Sequence, residues 1–524
     1  MNAADTQGDS RLRASATPSL TSTAVGGTLW TSGQAILNKG AVLVATWAIA
    51  FRLSEDDIAL ASLVTVLTKF FCVLPPLNMG DVLVSRGASY SMLASTAARV
   101  ALRWSILVVA TVVLCSPLIA LVYKQFPFSA LSALLGASLF RVLAEALQVT
   151  NVVALRMQFR YRTIAMVDGT LQLGGSVLSV ALAFMGAAAW AIVLPISVVA
   201  IAKAVAYRLL RSGSQQDQAA VSVEQARGIA RDFRVAGFAQ YVHSVVDTLP
   251  ILMLGHFGSQ AQTGLYAFAF NLAAQANAVL GGQLSGVLQP VLVQLAHDTQ
   301  RQVNAFLRTL RVLSAVVVPI CLCQAVFSQS LFNAVFPDRW QPAVPVFEAL
   351  SVSEAFFFAS APTMALLRAQ GRFGAFLGWQ LIHALALGSA LPLVAASHGA
   401  LGVAVLGTLL WAISLPIAVW MCVRPTGHAL STVVKSFAAP WLSGLPLAAL
   451  ATIIGRELGV FGIWGDAVNL LLVAPATLAA MLLATRLVQP DVFAQLRSLS
   501  GGAFSGAFTR VKRFAAIGRG KQGR

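Results

Sequence analysis

The chain holds 524 residues, 57% of them hydrophobic and only 10% charged, with 36 Lys and Arg set against 19 Asp and Glu for a formal charge of +17. An ordinary soluble domain carries about 25% charged residues, so this composition excludes a soluble enzyme, a nucleic-acid-binding protein and a disulfide scaffold. It fits an all-α polytopic membrane protein, in which each crossing uses about 20 apolar residues.

Residues 1–25 read as a disordered, Ser/Thr-rich cytoplasmic tail with no cleavable signal. Apolar runs then predict spans over 26–51, 58–80, 97–123, 128–154, 163–186 and 188–209, the first six-helix bundle (26–210). A polar stretch at 211–232 reads as a cytoplasmic linker. A second six-helix bundle (233–424) follows, with spans over 233–256, 263–290, 305–328, 343–367, 374–396 and 399–422. Two additional helices, 433–454 and 464–486, lie within residues 425–486, and 487–524 is a basic cytoplasmic tail. Of the 36 Lys and Arg, 29 fall in the tails and even-numbered loops and 4 (Arg52, Lys124, Arg339, Arg456) in the odd-numbered ones. By the positive-inside rule this puts both termini in the cytoplasm. The basic excess then faces anionic membrane lipids rather than nucleic acid. The five cysteines, all in apolar stretches, read as small core residues. Trp190, Trp340 and Trp464 open their spans and suit the interfacial belt, while the deeper Trp379 and Trp411 read as core packing.

The two bundles repeat. At an offset of 205, Ser54 falls on Ser259 and Leu60 on Leu265, each in the outward loop between the first two spans of its half. Both halves start inside and hold six spans, so the repeats are parallel and leave a central cleft between them.

Several stretches carry a resemblance. Arg52-Leu-Ser-Glu-Asp-Asp-Ile58 is similar to an R-x-L-S-P-E-D-F-G loop. Leu77-Asn-Met-Gly80 with Leu83-Val-Ser-Arg86 is similar to L-G-L-G-x-x-L-V-Q-R. Ala154-Leu-Arg156 through Phe159-Arg160 is similar to L-L-Q-R-x-x-R-F. Gly264-Leu-Tyr-Ala267, Gln289-Pro290 and Ala365–Arg372 follow in the same order in the second half. In these the chain, over about residues 26–425, resembles the MOP (MATE/Wzx/MurJ-like) flippase superfamily, in particular its Wzx-like polysaccharide transporters. It departs from them at Glu55 and Asp56 and at His256, where many relatives carry Arg or Lys. The resemblance implies a flippase of the bacterial cytoplasmic (inner) membrane. It would move a polyprenyl-diphosphate-linked oligosaccharide of the undecaprenyl type outward for surface or exopolysaccharide synthesis, by alternating access and without a cofactor. H+ or Na+ and polysaccharide polymerase or assembly proteins are the partners this implies. The alternatives are an ion-coupled drug/cation antiporter of the same superfamily and a membrane enzyme of glycan assembly. Short, separate outer loops speak against the enzyme.

Ionisable groups inside the spans are the site candidates, because each costs roughly 2.5–3.5 kcal/mol at a bilayer centre. Lys39, Lys69 and Arg141 are the three cations buried in the spans away from their basic ends, all in the first bundle. With Asn38 they suit a diphosphate headgroup. Arg141 has a second reading, an ion pair with Glu145 at i+4, and Asp168 could reach one of the lysines. In the second bundle His243 and Asp247 form an i, i+4 pair, Glu354 is central in its span, and His383 lies in the next. Asp247, Glu354 and His243 read either as ion-coupling groups or as interhelical hydrogen bonds that lock the bundle. No metal site is expected. No G-x-x-x-x-G-K-[ST] occurs, so energy would come from an ion gradient, the membrane potential or removal of product.

Overall fold

The computed structural model describes residues 37–72, 90–158, 160–210, 223–275 and 297–490, with Asn277, Leu288, Leu292, Leu295 and Val492 in addition. Every regular element among these residues is helical. The tails, the linker core at 211–222, the Leu77–Arg86 motif and Gln289-Pro290 lie outside the described residues. By length and composition, nine described segments can cross a membrane, and the chain is a multi-pass membrane protein.

The fold divides into two compact units, Met1–His256 and Phe257–Arg524. The first contains α1 (Leu37–Ala50), α2 (Glu55–Cys72), α3 (Tyr90–Val122), α4 (Phe128–Met157), α5 (Tyr161–Phe184), α6 (Trp190–Leu210) and α7 (Val223–Phe257). The entry to α2 explains the loop motif physically. The Asp57 amide donates to Ser54 Oγ at 3.2 Å and the Ser54 amide to Asp57 Oδ2 at 3.1 Å. This reciprocal cap satisfies two otherwise orphaned helix-start donors. Arg52, just before it, lies 4.7 Å over the Phe184 ring.

By packing, α7 groups with the first unit, whereas the sequence division at 211–232 follows composition. The C-terminal end of α7 is held there by specific contacts. Gln125 Nε2 donates to the Gly255 carbonyl, and His256 Nδ1 lies 2.7 Å from the Val122 carbonyl oxygen. Gly255 faces Tyr123 and Leu63 so closely that an added Cβ would sit 3.2 and 3.3 Å from them. Phe70 of α2 meets Tyr241 of α7 with ring centroids 5.7 Å apart. A polar linker marks where the sequence changes character, whereas side-chain packing groups α7 with the first unit.

The second unit contains α8 (Gln260–Ala273), α9 (Thr299–Val326), α10 (Ser328–Val335), α11 (Val344–Phe357), α12 (Ser360–Ala369), α13 (Phe373–Val423), α14 (Leu430–Gly459), α15 (Ile463–Val468) and α16 (Ala474–Val488). Ser259 caps α8, accepting from the Gln262 amide at 3.2 Å. The residue 205 positions after Ser54 thus does the same work. Proline and glycine set the breaks. The predicted span 343–367 is interrupted at residues 358–359, four before Pro362, whose ring excludes the carbonyl of residue 358 and whose nitrogen cannot donate to it. Helix α13 has 51 residues, about 76 Å at helical rise and too long for one crossing. Gly399, at φ 58°, breaks it where the sequence separates spans 374–396 and 399–422, and the Gln262 amide occupies the space a Cβ would need. A π-helical turn at Asn469–Val473 precedes Pro475 and joins α15 to α16 within the last predicted span.

The core of the second unit is aromatic at one end. Trp340 is fully buried and stacks on Phe268 at 4.0 Å, with Phe332, Phe336 and Phe347 around them. The interfacial reading of Trp340 is therefore corrected, because the turn over Asp338–Ala343 folds the indole inward. Trp464, 79% exposed, remains compatible with the belt. Trp379 and Trp411 pack with Phe376, Phe357 and each other.

Candidate functional site

In the first unit most of the charges inside the spans are paired, one of them as its sequence spacing suggested and others across helices. Lys69 stands about 21 Å along α2 from its start at Glu55. Its Nζ lies 3.7 Å from Asp247 Oδ2 of α7, and His243 Nε2 lies 3.9 Å from the same oxygen. Lys69, placed with the substrate site, and Asp247 and His243, placed with ion coupling, thus form one cluster. Asp247 is ten residues from the other end of α7, about 15 Å. A lysine stem of about 6 Å bridges the difference in depth. The lysine side chain is 45% exposed and the aspartate 29%. At that depth such exposure needs water or a polar ligand, since lipid contact would be costly.

Asp168 does not serve either buried lysine. It binds Lys203 at 3.0 Å, joining α5 to α6. Arg141 Nε donates to Glu145 Oε1 at 2.6 Å, the i+4 pair read from the sequence. With the described carboxylates near the spans so engaged, Lys39 on α1 makes no ion pair among the described residues. Its neighbour Asn38 has a buried Oδ1 that accepts no hydrogen bond among them.

Helices α2, α4 and α6 converge on a cleft of about 10 Å³, room for roughly one water molecule, lined by Thr65, Thr68, Ser138, Arg141, Val193, Ile196 and Ser197. The Thr68 and Ser138 hydroxyls are 2.6 Å apart and tie α2 to α4. One of the two donates to the other and the remaining hydroxyl donates to its own helix, as Thr65 does to the Ala61 carbonyl and Ser197 to that of Val193. This leaves lone pairs rather than donors facing the cleft. The guanidinium is the cleft's principal donor.

The second unit handles its acid differently. Glu354 is only 6% exposed. Asn277 Nδ2 donates to its backbone carbonyl at 2.8 Å and to its carboxylate at 2.5 Å. The Asn277 Oδ1 and Ser351 Oγ atoms nearby are buried and unpartnered among the described residues. Glu348 accepts from Ser328 at 2.6 Å. His383, 2% exposed, lies 3.0 Å from Ser414 Oγ and against Trp411. Among the described residues no group of three or more His, Cys, Asp or Glu could hold a metal ion.

The Lys69–Asp247 pair is the feature sequence reasoning missed, since 178 positions separate the partners. Opposite charges at similar depths on two spans of opposite direction would have been the signal. Asn277 left none, as an amide inside an apolar run is ordinary.

A family model described as "Polysaccharide biosynthesis protein" matches residues 50–345. The chain is 22% identical over 292 residues to the succinoglycan biosynthesis transport protein ExoT of Rhizobium meliloti (strain 1021), covering 55% of this chain and 56% of that protein. It is 24% identical over 214 residues to the lipopolysaccharide biosynthesis protein WzxC of Escherichia coli (strain K12), covering 40% and 42%. The chain spans about half the length of the curated relatives it matches. In three dimensions it is similar to the lipid II flippase MurJ in an inward closed conformation, with a TM-score of 0.67 and 10% identity over 90% of this chain and all of that one. An inward-facing multidrug resistance MATE transporter of the MOP superfamily aligns with a TM-score of 0.57 and 12% identity, over 77% of this chain and 96% of that one.

Proposed function

Because the chain belongs to the family of polysaccharide biosynthesis proteins, we propose that it is a flippase carrying a polyprenyl-diphosphate-linked oligosaccharide from the inner to the outer leaflet of a bacterial cytoplasmic membrane. It would do so with both termini in the cytoplasm and without catalysing a covalent step. The observation that carries this reading is Lys69, a half-exposed cation about 21 Å along its helix. A lysine held in a polar environment at that depth suits an anionic cargo. The transport and biosynthesis names of the relatives support the glycan class. The fold shared with the MurJ flippase supports the mode of movement.

In this reading Lys69 and Lys39 bind the diphosphate. Asn38 adds a hydrogen bond, and Arg141, already bonded to Glu145, offers its remaining donors. The polyprenyl tail stays in lipid. A headgroup of charge −2 moving outward is favoured by an inside-negative potential of 100 mV by about 4.6 kcal/mol. That can drive the step without nucleotide hydrolysis. Asp247 with His243, and separately Glu354, are the groups through which H+ or Na+ would couple. Anionic lipids meet the basic cytoplasmic face, and polysaccharide polymerase or assembly proteins take the product.

The MATE-like fold allows an ion-coupled drug/cation antiporter, but Lys39, which makes no ion pair among the described residues, would repel such cargo. Depleting the protein in its host and measuring lipid-linked oligosaccharide in each leaflet tests the proposal. Complete units confined to the inner leaflet are expected. Unpolymerised units on the outer leaflet would indicate an assembly enzyme, and an unchanged distribution would reopen the antiporter.

A further inference from the structure

The Lys69–Asp247 pair has the geometry of a contact built to be exchanged. Its 3.7 Å separation is an ion-pair distance beyond that of a charge-assisted hydrogen bond, and both side chains are open enough for another ligand to reach them. Elsewhere in the same unit, Arg141–Glu145 at 2.6 Å and Lys203–Asp168 at 3.0 Å are closed to hydrogen-bond length. Asp247 is also held loosely from its own side. His243, 3.9 Å away on the preceding turn, is its other close basic neighbour among the described residues. Phe70, Phe71 and Tyr241 flank the lysine's turn with rings rather than charges.

We propose that Asp247 is an internal competitor for the anion site: its carboxylate occupies Lys69 when cargo is absent and displaces the cargo's diphosphate when it must leave. This rests on the reading of Lys69 as a diphosphate ligand and adds what limits the affinity of that site. A transport site must bind well enough to load and weakly enough to unload. A lysine with no rival at this depth would meet the first need and fail the second. Asp247 supplies the rival without any movement of the backbone, since a diphosphate seated on Lys69 places its negative charge within a few ångströms of the carboxylate. It makes Asp247 a positioning residue that acts through Lys69, not a cargo ligand.

The test uses the full chain purified in detergent, with inorganic pyrophosphate as the probe and calorimetric titration as the readout. Asp247→Asn keeps the shape of the side chain and removes the competing charge. A unit charge about 4 Å away is worth close to a factor of five even in water, so the variant is expected to bind pyrophosphate about five- to tenfold more tightly. Asp247→Glu, which keeps the charge, is expected to stay within about twofold of the parent and controls for folding. In a Lys69→Gln background, Asp247→Asn is expected to lose most of that gain, because the rival then has nothing to compete for. Equal or weaker binding by Asp247→Asn, with the parent and Asp247→Glu binding normally, would overturn the proposal, as would a full gain in the Lys69→Gln background. If neither the parent nor Asp247→Asn binds pyrophosphate, the anion-site reading itself falls, and this inference with it.

Discussion

The two units bury their ionisable groups in opposite ways. In the first, charges inside the spans meet charges of the other sign across helices, with partial exposure, as in Lys69–Asp247 and Lys203–Asp168. In the second, Glu354 is buried at 6% and bound by the neutral Asn277. An exposed pair contributes about 0–1 kcal/mol and can be exchanged for a ligand at little cost to the fold. A buried carboxylate depends on its hydrogen bonds and cannot be exposed without a large penalty. The lesson is a division of labour: the first unit keeps charge available, and the second spends polar contacts on holding its helices.

That contrast can be broken from the stability side. The largest expected loss is at the aromatic centre of the second unit. Trp340→Ala removes a fully buried indole stacked on Phe268 and is expected to cost about 3–5 kcal/mol, read as a marked fall in thermal midpoint in detergent. Asn277→Leu comes next. Stripping the amide from a buried carboxylate is expected to cost about 2–4 kcal/mol, and Glu354→Gln in the same background should recover part of it. The caps come third. Ser54→Ala and Ser259→Ala should each cost about 1 kcal/mol, and similar values for the two would sharpen the repeat. Smallest is Lys69→Gln, with a stability change within about 1 kcal/mol. A loss there as large as that of Asn277→Leu would erase the distinction between the units.

Much of this was legible in the sequence where the cause is local. Span order, the serine caps 205 positions apart and the Arg141–Glu145 pair all follow from residues within a few positions of one another. The interruption before Pro362 is just as local, although the span was read as continuous. Where distant helices decide the outcome, the sequence was silent or misleading. Helix α7 joins the first unit through Gly255, Gln125 and His256, which no composition shift at residues 211–232 could foretell. Asp168 was free by spacing to reach either buried lysine, yet Lys203 lies on the helix packed against it. Trp340 looked interfacial because it opens an apolar run, and only the turn at Asp338–Ala343 shows the indole pointing inward. Lys69 and Asp247 were each singled out for being charged inside a span, but the ladder of apolar residues around them carries no record of which charge faces which.

The central claim is that the first unit's available charge serves the cargo. It is tested most directly by expressing Lys69→Gln as the sole copy at the parent's level and measuring lipid-linked oligosaccharide in each leaflet. The account predicts complete units retained on the inner leaflet by a protein of near-parental thermal stability. A parental leaflet distribution from that variant would contradict it.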